Sequence, residues 1–414
     1  MKSGEPGGGA AARTVAKSVH AEAGASRDLV LDGTASAHPT EAMMSIQPPH
    51  LTAEERRDCM AQRLAAAAAG GLGRTARSPR NATRVLGGPP VIGRSLLVCV
   101  LAAAALGLTY APAAGAEPPR KPALESGEFT AELNGLTLWY KVSGQGPVCL
   151  MPTPGWGPSS DLYFRTLKPL EKHFTIVYLD TRGTRRSGRA QAATEYTWGH
   201  LVADLDALRA HLKQDKVWLM GHSEGAMQTL HYACKHPDRV GGLVVLASAA
   251  AVGPFDGLAI VARVSKRKGE PWYAEAMKAY QAGPPKTDAE MAEGMAKILP
   301  AYWADAARIE KHKDHFTATT MSVEAMRGQV ESKRMPFDLT EGLRRVTAPA
   351  LIVAGDKDAF CPPAAARQLH LCLPNSKLLV IEDCGHFVWL EQAEVFDAQV
   401  PEFLKALGVA DVRK

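Results

Sequence analysis

The segment Val217-Trp218-Leu219-Met220-Gly221-His222-Ser223-Glu224-Gly225-Ala226-Met227 sets an apolar, strand-like run directly against a helix-favouring one. A serine framed by two glycines stands at the junction. A strand that enters a helix over one residue must turn sharply there, and glycines on either side remove the Cβ atoms that would strike the neighbouring backbone. Such a turn lifts the serine hydroxyl above the edge of a sheet, at a helix N-terminus. A strand running into a helix is the first half of the crossover that joins parallel neighbouring strands.

The rest of the chain supplies those neighbours. Short apolar runs at 148–151, 175–180, 242–247, 350–354 and 377–381 are separated, in the later part of the chain, by helical stretches such as 198–212 and 224–236. Continuous apolar strands alternating with helices imply a parallel sheet covered on both faces. Ahead of them, 128–133 and 136–143 flank Asn134-Gly135, the strongest short hairpin signal. The expected class is α/β, with a mostly parallel eight-stranded sheet and helices on both faces. The interval 251–345 breaks the rhythm: it is charged, helix-favouring and without a convincing strand, and is expected to form a helical cap at about 252–345. Its aromatics Trp272, Tyr273, Tyr280, Tyr302, Trp303 and Phe316 are candidates for a pocket lining or for ordinary helix packing.

A serine hydroxyl is a weak nucleophile at neutral pH and needs a base and an orienting carboxylate. Both follow in the chain. Asp358 comes in the loop after the 350–354 strand and His386 in the loop after 377–381. The order Ser, Asp, His is that of the α/β-hydrolase arrangement. Asp356 and Asp383 are the competing carboxylates, and Asp358 is preferred because it lies further out on its loop. Two backbone N–H groups are needed for a developing oxyanion. Glu224 supplies one as the residue after Ser223. The other is expected from Pro152-Thr153-Pro154-Gly155-Trp156-Gly157, where Pro154 has no N–H, leaving Gly155 or Trp156. No His or Cys spacing of metal-ligand type appears, so neither a metal nor another cofactor is expected. Cys361 and Cys384 flank Asp358 and His386, and a disulfide between them, or between Cys372 and one of them, is a hypothesis for bracing those loops.

Hydrophobic residues make up 46% and charged residues 22%, enough apolar material for a large core. The net charge of +5 is unevenly spread: residues 1–116 carry 12 Lys+Arg and 8 Asp+Glu, leaving 36 and 35 in the remainder. That near-neutral remainder gives no electrostatic case for nucleic acid. Residues 1–94, rich in Gly, Ala, Arg and Pro, are expected to be a disordered low-complexity extension, with translation starting downstream as an alternative. Residues 95–116 have the layout of a secretory signal peptide, whose 13-residue apolar run at 96–108 is shorter than the ~18–20 residues of a membrane span. Export without stable membrane insertion after processing is therefore expected. The alternatives are organelle targeting, given that no acidic residue occurs from 59 to 116, or anchoring by residues 95–110.

Several stretches resemble the proline iminopeptidase branch of the α/β-hydrolase superfamily. Asp180-Thr181-Arg182-Gly183-Thr184-Arg185-Arg186-Ser187 is similar to that branch's Asp-Gln-Arg-Gly-x-Gly-x-Ser loop. Tyr232-Ala233, His236-Pro237-Asp238-Arg239-Val240 and Gly385-His386 with Trp389-Leu390-Glu391 also match it. The elbow departs, reading Gly-His-Ser-Glu-Gly where the branch has Gly-Gly-Ser-Trp-Gly. The resemblance implies a helical cap over a serine hydrolase site, acting on a small-molecule or short-peptide ester or amide. For an iminopeptidase it implies cap carboxylates that hold a free amino group, for which Glu270, Glu275, Glu310 and Glu324 are available. A non-catalytic ligand-binding member of the fold is the remaining alternative.

Overall fold

A computed structural model describes residues 124–409. The low-complexity stretch 1–94 and the signal-like segment 95–116 lie outside the described residues. The chain opens with the expected hairpin, β1 (Gly127–Leu133) against β2 (Leu136–Gly144), antiparallel with Leu133 opposite Leu136. Asn134 and Gly135 hold φ of 51° and 77°. A two-residue loop with positive φ at both positions matches the twist of its strands, and Asn-Gly tolerates it best.

The strands that follow are β3 (Val148–Pro152), β4 (Thr175–Leu179), β5 (Val217–His222), β6 (Val240–Leu246), β7 (Ala251–Val252), β8 (Phe337–Asp338), β9 (Ala350–Gly355) and β10 (Ser376–Ile381). Eight of them form one sheet in the order β1-β2-β4-β3-β5-β6-β9-β10. β2 meets β4 antiparallel, and every pairing from β4 to β10 is parallel. Alternate residues of the central strands enter opposite layers. After a first short helix α1 (Asp161–Thr166), Leu150, Val177, Leu219 and Val245 pack with Leu205 of α2 (Trp198–His211) and Leu230 of α3 (Glu224–Lys235). Met151, Ile176, Met220 and Val244 face the other way, toward Trp389 and the C-terminal helix 393–406. Burying both faces is why these strands read as unbroken apolar runs.

Between β7 and β8 the chain is helical, as expected, but it is not free of strand. β7 and β8 pair antiparallel, Ala251 with Asp338 and Val252 with Phe337, and close the two ends of the insertion on each other. Two residues are too few to carry a periodic signal, so the sequence could not announce them. Among the described residues, no helix is long and apolar enough to cross a membrane.

One carboxylate joins the insertion to the sheet. Glu391 accepts from the Gly385 N–H (2.9 Å) and from the Ala304 N–H (2.7 Å), while the His386 N–H donates to the Tyr302 carbonyl (2.8 Å). Burial pushes the Glu391 carboxyl up to about 7, against the opposing effect of the two amides. Because the folded value is raised, its contribution to stability is complete below the ordinary glutamate range near 4.5 and is lost as pH rises through about 7. Urea unfolding should therefore show stability falling between these pH values, by on the order of 2–3 kcal/mol from this group. Glu391→Gln should flatten that part of the profile. Parallel profiles for the two proteins would contradict the assignment.

Candidate active site

Ser223 stands between β5 and α3 with φ 55° and ψ −126°. This is a sparsely populated conformation for a residue with a side chain; it costs about 1–3 kcal/mol and persists only where the surroundings enforce it. The Ser223 N–H donates to the Leu246 carbonyl (2.9 Å), and the Ser223 carbonyl accepts from the Ser248 hydroxyl (2.8 Å) and the Ala226 N–H (3.1 Å). A Cβ at Gly221 would collide with the Ala226 backbone, and one at Gly225 would lie 2.8 Å from the Pro152 carbonyl oxygen. Both glycines are therefore dictated by close backbone approach at the turn.

The loops after β9 and β10 meet beside this serine. The Gly355 backbone packs so tightly on residues 384 and 385 that a Cβ there would collide with their carbonyls. Asp358 Oδ2 lies 2.7 Å from His386 Nδ1, and both side chains are buried. Asp358 Oδ1 accepts from the N–H groups of Phe360 (2.8 Å) and Cys361 (2.9 Å), which fix the carboxylate. A carboxylate at Nδ1 keeps the ring proton there and leaves Nε2 as the basic nitrogen. The competing aspartates are engaged elsewhere. Asp356 accepts from the Cys384 N–H (3.1 Å), and Asp383 pairs with Lys357 (2.6 Å) and Arg308 at the surface.

The hypothesised disulfide is not formed: Cys361, Cys372 and Cys384 are free thiols. The Cys384 sulfur turns toward the Gly385 carbonyl (3.8 Å), while Cys361 lies beside the Asp–His pair. Bracing comes instead from the backbone, with the Asp356 N–H on the Ile381 carbonyl and the Lys357 N–H on the Cys384 carbonyl, both 2.9 Å. Asp358, Cys361 and His386 bring oxygen, sulfur and nitrogen within 4.8 Å, the one grouping of potential metal ligands among the described residues. Its oxygen and nitrogen already bond each other, and burial holds the thiol protonated, so the geometry is that of an acid–base pair rather than a metal cage.

Gly155 and Trp156 form the tip of a turn closed by the Gly157 N–H on the Pro154 carbonyl (3.3 Å). Trp156 faces a cavity of about 490 Å³ that also contains Ser223 and His386. Glu224 opens α3, so its N–H is among the first-turn amides that a helix leaves unpaired. Its side chain is buried, with Oε1 2.9 Å from Arg334 Nη1.

His222, which reads as an ordinary turn residue in the sequence, has a defined place. Its Nδ1 lies 3.1 Å from the Tyr163 hydroxyl and its Nε2 3.1 Å from the His386 carbonyl, so it braces the histidine loop. Burial and the neighbouring His386 hold its pKa well below the usual range, and it stays neutral. A His-Ser pair gives no local signal for this, because both partners are distant in sequence.

The cavity wall is mostly apolar, including Leu162, Met295, Leu299, Phe316 and Phe387. Among the described residues no carboxylate lines it, and Lys313 does. Among the glutamates considered for amine binding, Glu310 pairs with Lys313, while Glu270 and Glu324 pair with Arg267 and Arg327 at 4.0 Å. Glu275 lines a second cavity of about 740 Å³ that shares Trp156, Met295 and Tyr302 with the first. Of the cap aromatics, Tyr302 and Phe316 line the serine cavity and Tyr280 the second one. Trp303 is buried beneath them, and Trp272 and Tyr273 pack in a separate apolar cluster.

Comparison with known proteins agrees with this architecture. Residues 150–265 match the family model of the alpha/beta hydrolase fold, and residues 318–411 match that of TAP-like proteins. The chain is 24% identical over 279 residues to a proline iminopeptidase of Pestalotiopsis fici, covering 66% of this chain and 98% of that protein. It is 26% identical over 290 residues to a pimeloyl-[acyl-carrier protein] methyl ester esterase of Vibrio cholerae, covering 65% and 98%. A solved alpha/beta fold family hydrolase from Bacillus anthracis superposes with a TM-score of 0.57 at 18% identity, over 67% of this chain and 99% of that one. With one sheet carrying both matched stretches, the chain is an enzyme of the α/β-hydrolase fold.

Proposed function

We propose that this protein is a serine hydrolase that cleaves an ester bond of a small substrate with an apolar acyl group, through an acyl-enzyme on Ser223. The observation that carries this reading is the buried 2.7 Å Asp358–His386 pair, delivered to the cavity that holds the strained Ser223. Ser223 Oγ attacks the carbonyl carbon while His386 Nε2 takes its proton. The oxyanion is received by the N–H groups of Glu224 and Trp156, with Gly155 the other candidate on that turn. Collapse breaks the bond to the leaving group, which departs with the proton from His386. Water then attacks the acyl carbon, His386 takes a proton from it, and the acid leaves as Ser223 Oγ regains that proton. Asp358 orients the ring and offsets its positive charge during both halves.

A mostly apolar wall whose lining charge is Lys313 and not a carboxylate disfavours a free ammonium group, which would lose its hydration there without a partner. A second reading, an iminopeptidase-type aminopeptidase, is supported by the relative of that name and by Glu275, Glu290 and Glu293 in the adjoining cavity. Export of the enzyme, from the layout of residues 95–116, is part of the proposal. It predicts a mature N-terminus near Glu117 on sequencing of the exported form.

Hydrolysis of p-nitrophenyl butyrate should exceed that of proline p-nitroanilide in kcat/KM by at least about 100-fold; the reverse preference would favour the aminopeptidase. Ser223→Ala and His386→Ala should each lower kcat by at least about 10³-fold, and Asp358→Asn by about 10²–10⁴-fold. Turnover that survives Ser223→Ala would remove the acyl-enzyme from the account, and no turnover of either substrate would favour a ligand-binding protein.

A further inference from the structure

Behind the turn that carries Gly155 and Trp156 lies a buried polar cluster for which the reaction scheme above has no use. Glu224 and Arg334 meet there, their side chains 5% and 0% exposed. Arg334 comes from the exit of the cap, after the helix Val323–Glu331, about 110 residues from Glu224 in sequence. Its carbonyl accepts from Trp198 Nε1 (2.7 Å), and its guanidinium lies 5.2 Å from the Trp198 ring centre. Burying two charges is costly, and an ion pair of this kind commonly adds little to stability over apolar residues.

The contacts point to a local task. Arg334 Nη2 donates to the Gly155 carbonyl (2.9 Å), and a Cβ at Gly155 would lie 2.5 Å from Arg334 Nη1, so the turn is moulded on the guanidinium. The Gly155 carbonyl and the Trp156 N–H belong to one planar trans peptide and point in opposite directions. Holding the carbonyl on Arg334 therefore aims the Trp156 N–H away from it.

Glu224 poses the opposite problem. Burial raises its carboxyl above the ordinary glutamate range, against the opposing effects of Arg334 and of the Gly155 and Trp156 amides, and neither oxygen finds a partner in hydrogen-bond geometry among the described residues. An anion beside the amides that must receive an oxyanion opposes that second negative charge. The Arg334 guanidinium, 2.9 Å away, is the compensating charge.

We propose that Arg334 is a positioning residue for the oxyanion hole, which fixes the Gly155–Trp156 peptide and cancels the field of the Glu224 carboxylate on it. This assignment rests on the acyl-enzyme reading above and deepens it. It also makes the cap a contributor to the site, since the residue that sets the turn is supplied by the cap's exit.

The test uses the full-length protein with p-nitrophenyl butyrate from pH 5 to pH 10, active sites being counted by fluorophosphonate labelling of Ser223. Arg334→Met should lower kcat per labelled site by about 100-fold, the scale of one lost oxyanion donor, with KM changed less than about threefold. Its loss should deepen with pH as the uncompensated Glu224 ionises, adding an alkaline limb that the wild type lacks. The other titratable groups facing the pair do not confuse this window. Burial is the larger cause that holds His231 down to about 4 and persists when Arg334 is removed, and burial with Glu224 raises Tyr163 above its ordinary value near 10. Glu224→Gln/Arg334→Met should regain at least about tenfold over Arg334→Met and lose the alkaline limb. Arg334→Lys, which keeps the charge but reaches only one of the two partners, should lose about tenfold without the limb.

A merely structural pair would lower the melting temperature and leave kcat per labelled site and its pH profile unchanged, which would overturn the proposal. A double variant no faster than Arg334→Met would do the same. Where Arg334→Met does not fold, Arg334→Lys decides, and wild-type kcat in that variant counts against the assignment. Absence of labelling at Ser223 in the wild type would sink the acyl-enzyme reading and this one with it, whereas labelled variants of unchanged kcat sink this one alone.

Discussion

Much of this structure follows from one turn, the single residue in which β5 ends and α3 begins. Ser223 is held at positive φ by the Leu246 carbonyl, the Ser248 hydroxyl and the first amides of α3. None of these partners can move far. Leu246 and Ser248 belong to and follow the neighbouring strand β6, and the helix is packed through Leu230 and Ala233 into the core. The strain at Ser223 is thus sustained by the burial of two layers of apolar side chains, each contributing about 1.5–3 kcal/mol. Glycines at 221 and 225 are the sequence's accommodation to the same turn.

The loops that face the serine are fixed by the backbone rather than by covalent ties. The turns after β9 and β10 interlock at Gly355 and Gly385, so the Asp358–His386 bond is formed between two loops that already touch. Asp358 is further held by two amides of its own loop, and His386 is backed by the neutral ring of His222. Glu391 extends this frame into the cap through Ala304, and Arg334 extends it from the other side of the insertion to the turn at Gly155. The cap therefore touches both the histidine loop and the Gly155–Trp156 turn. A displacement of the cap would be felt at each.

The sheet was legible because strands buried on both faces must be apolar throughout, and the expected runs match the observed strands to within two residues at most ends. Asn134-Gly135 marked the hairpin for an equally local reason. Ser223, Asp358 and His386 could be nominated because each follows directly on an apolar run and the three occur in a known order. What was not legible depends on distant partners. The side chain of Glu224 meets a residue that no motif connects to it, and His222 gains its role from Tyr163 and the His386 carbonyl. The cap aromatics divide among two cavities and a separate core, a division set by helix rotations that the sequence does not encode locally. Cys361 and Cys384 lie on the two loops that meet at the Asp358–His386 pair, but sharing a loop cluster does not aim two sulfur atoms at each other.

In the proposed reaction Ser223 carries the acyl group between the two halves. The most direct measurement is an acid quench of the full-length protein during turnover of p-nitrophenyl butyrate, followed by intact mass and peptide mapping. A butyryl adduct is expected on the peptide that contains Ser223, appearing with the first burst of nitrophenol and decaying with turnover. Turnover without an adduct at any time after mixing, or an adduct on another residue that is chased to product, would contradict it.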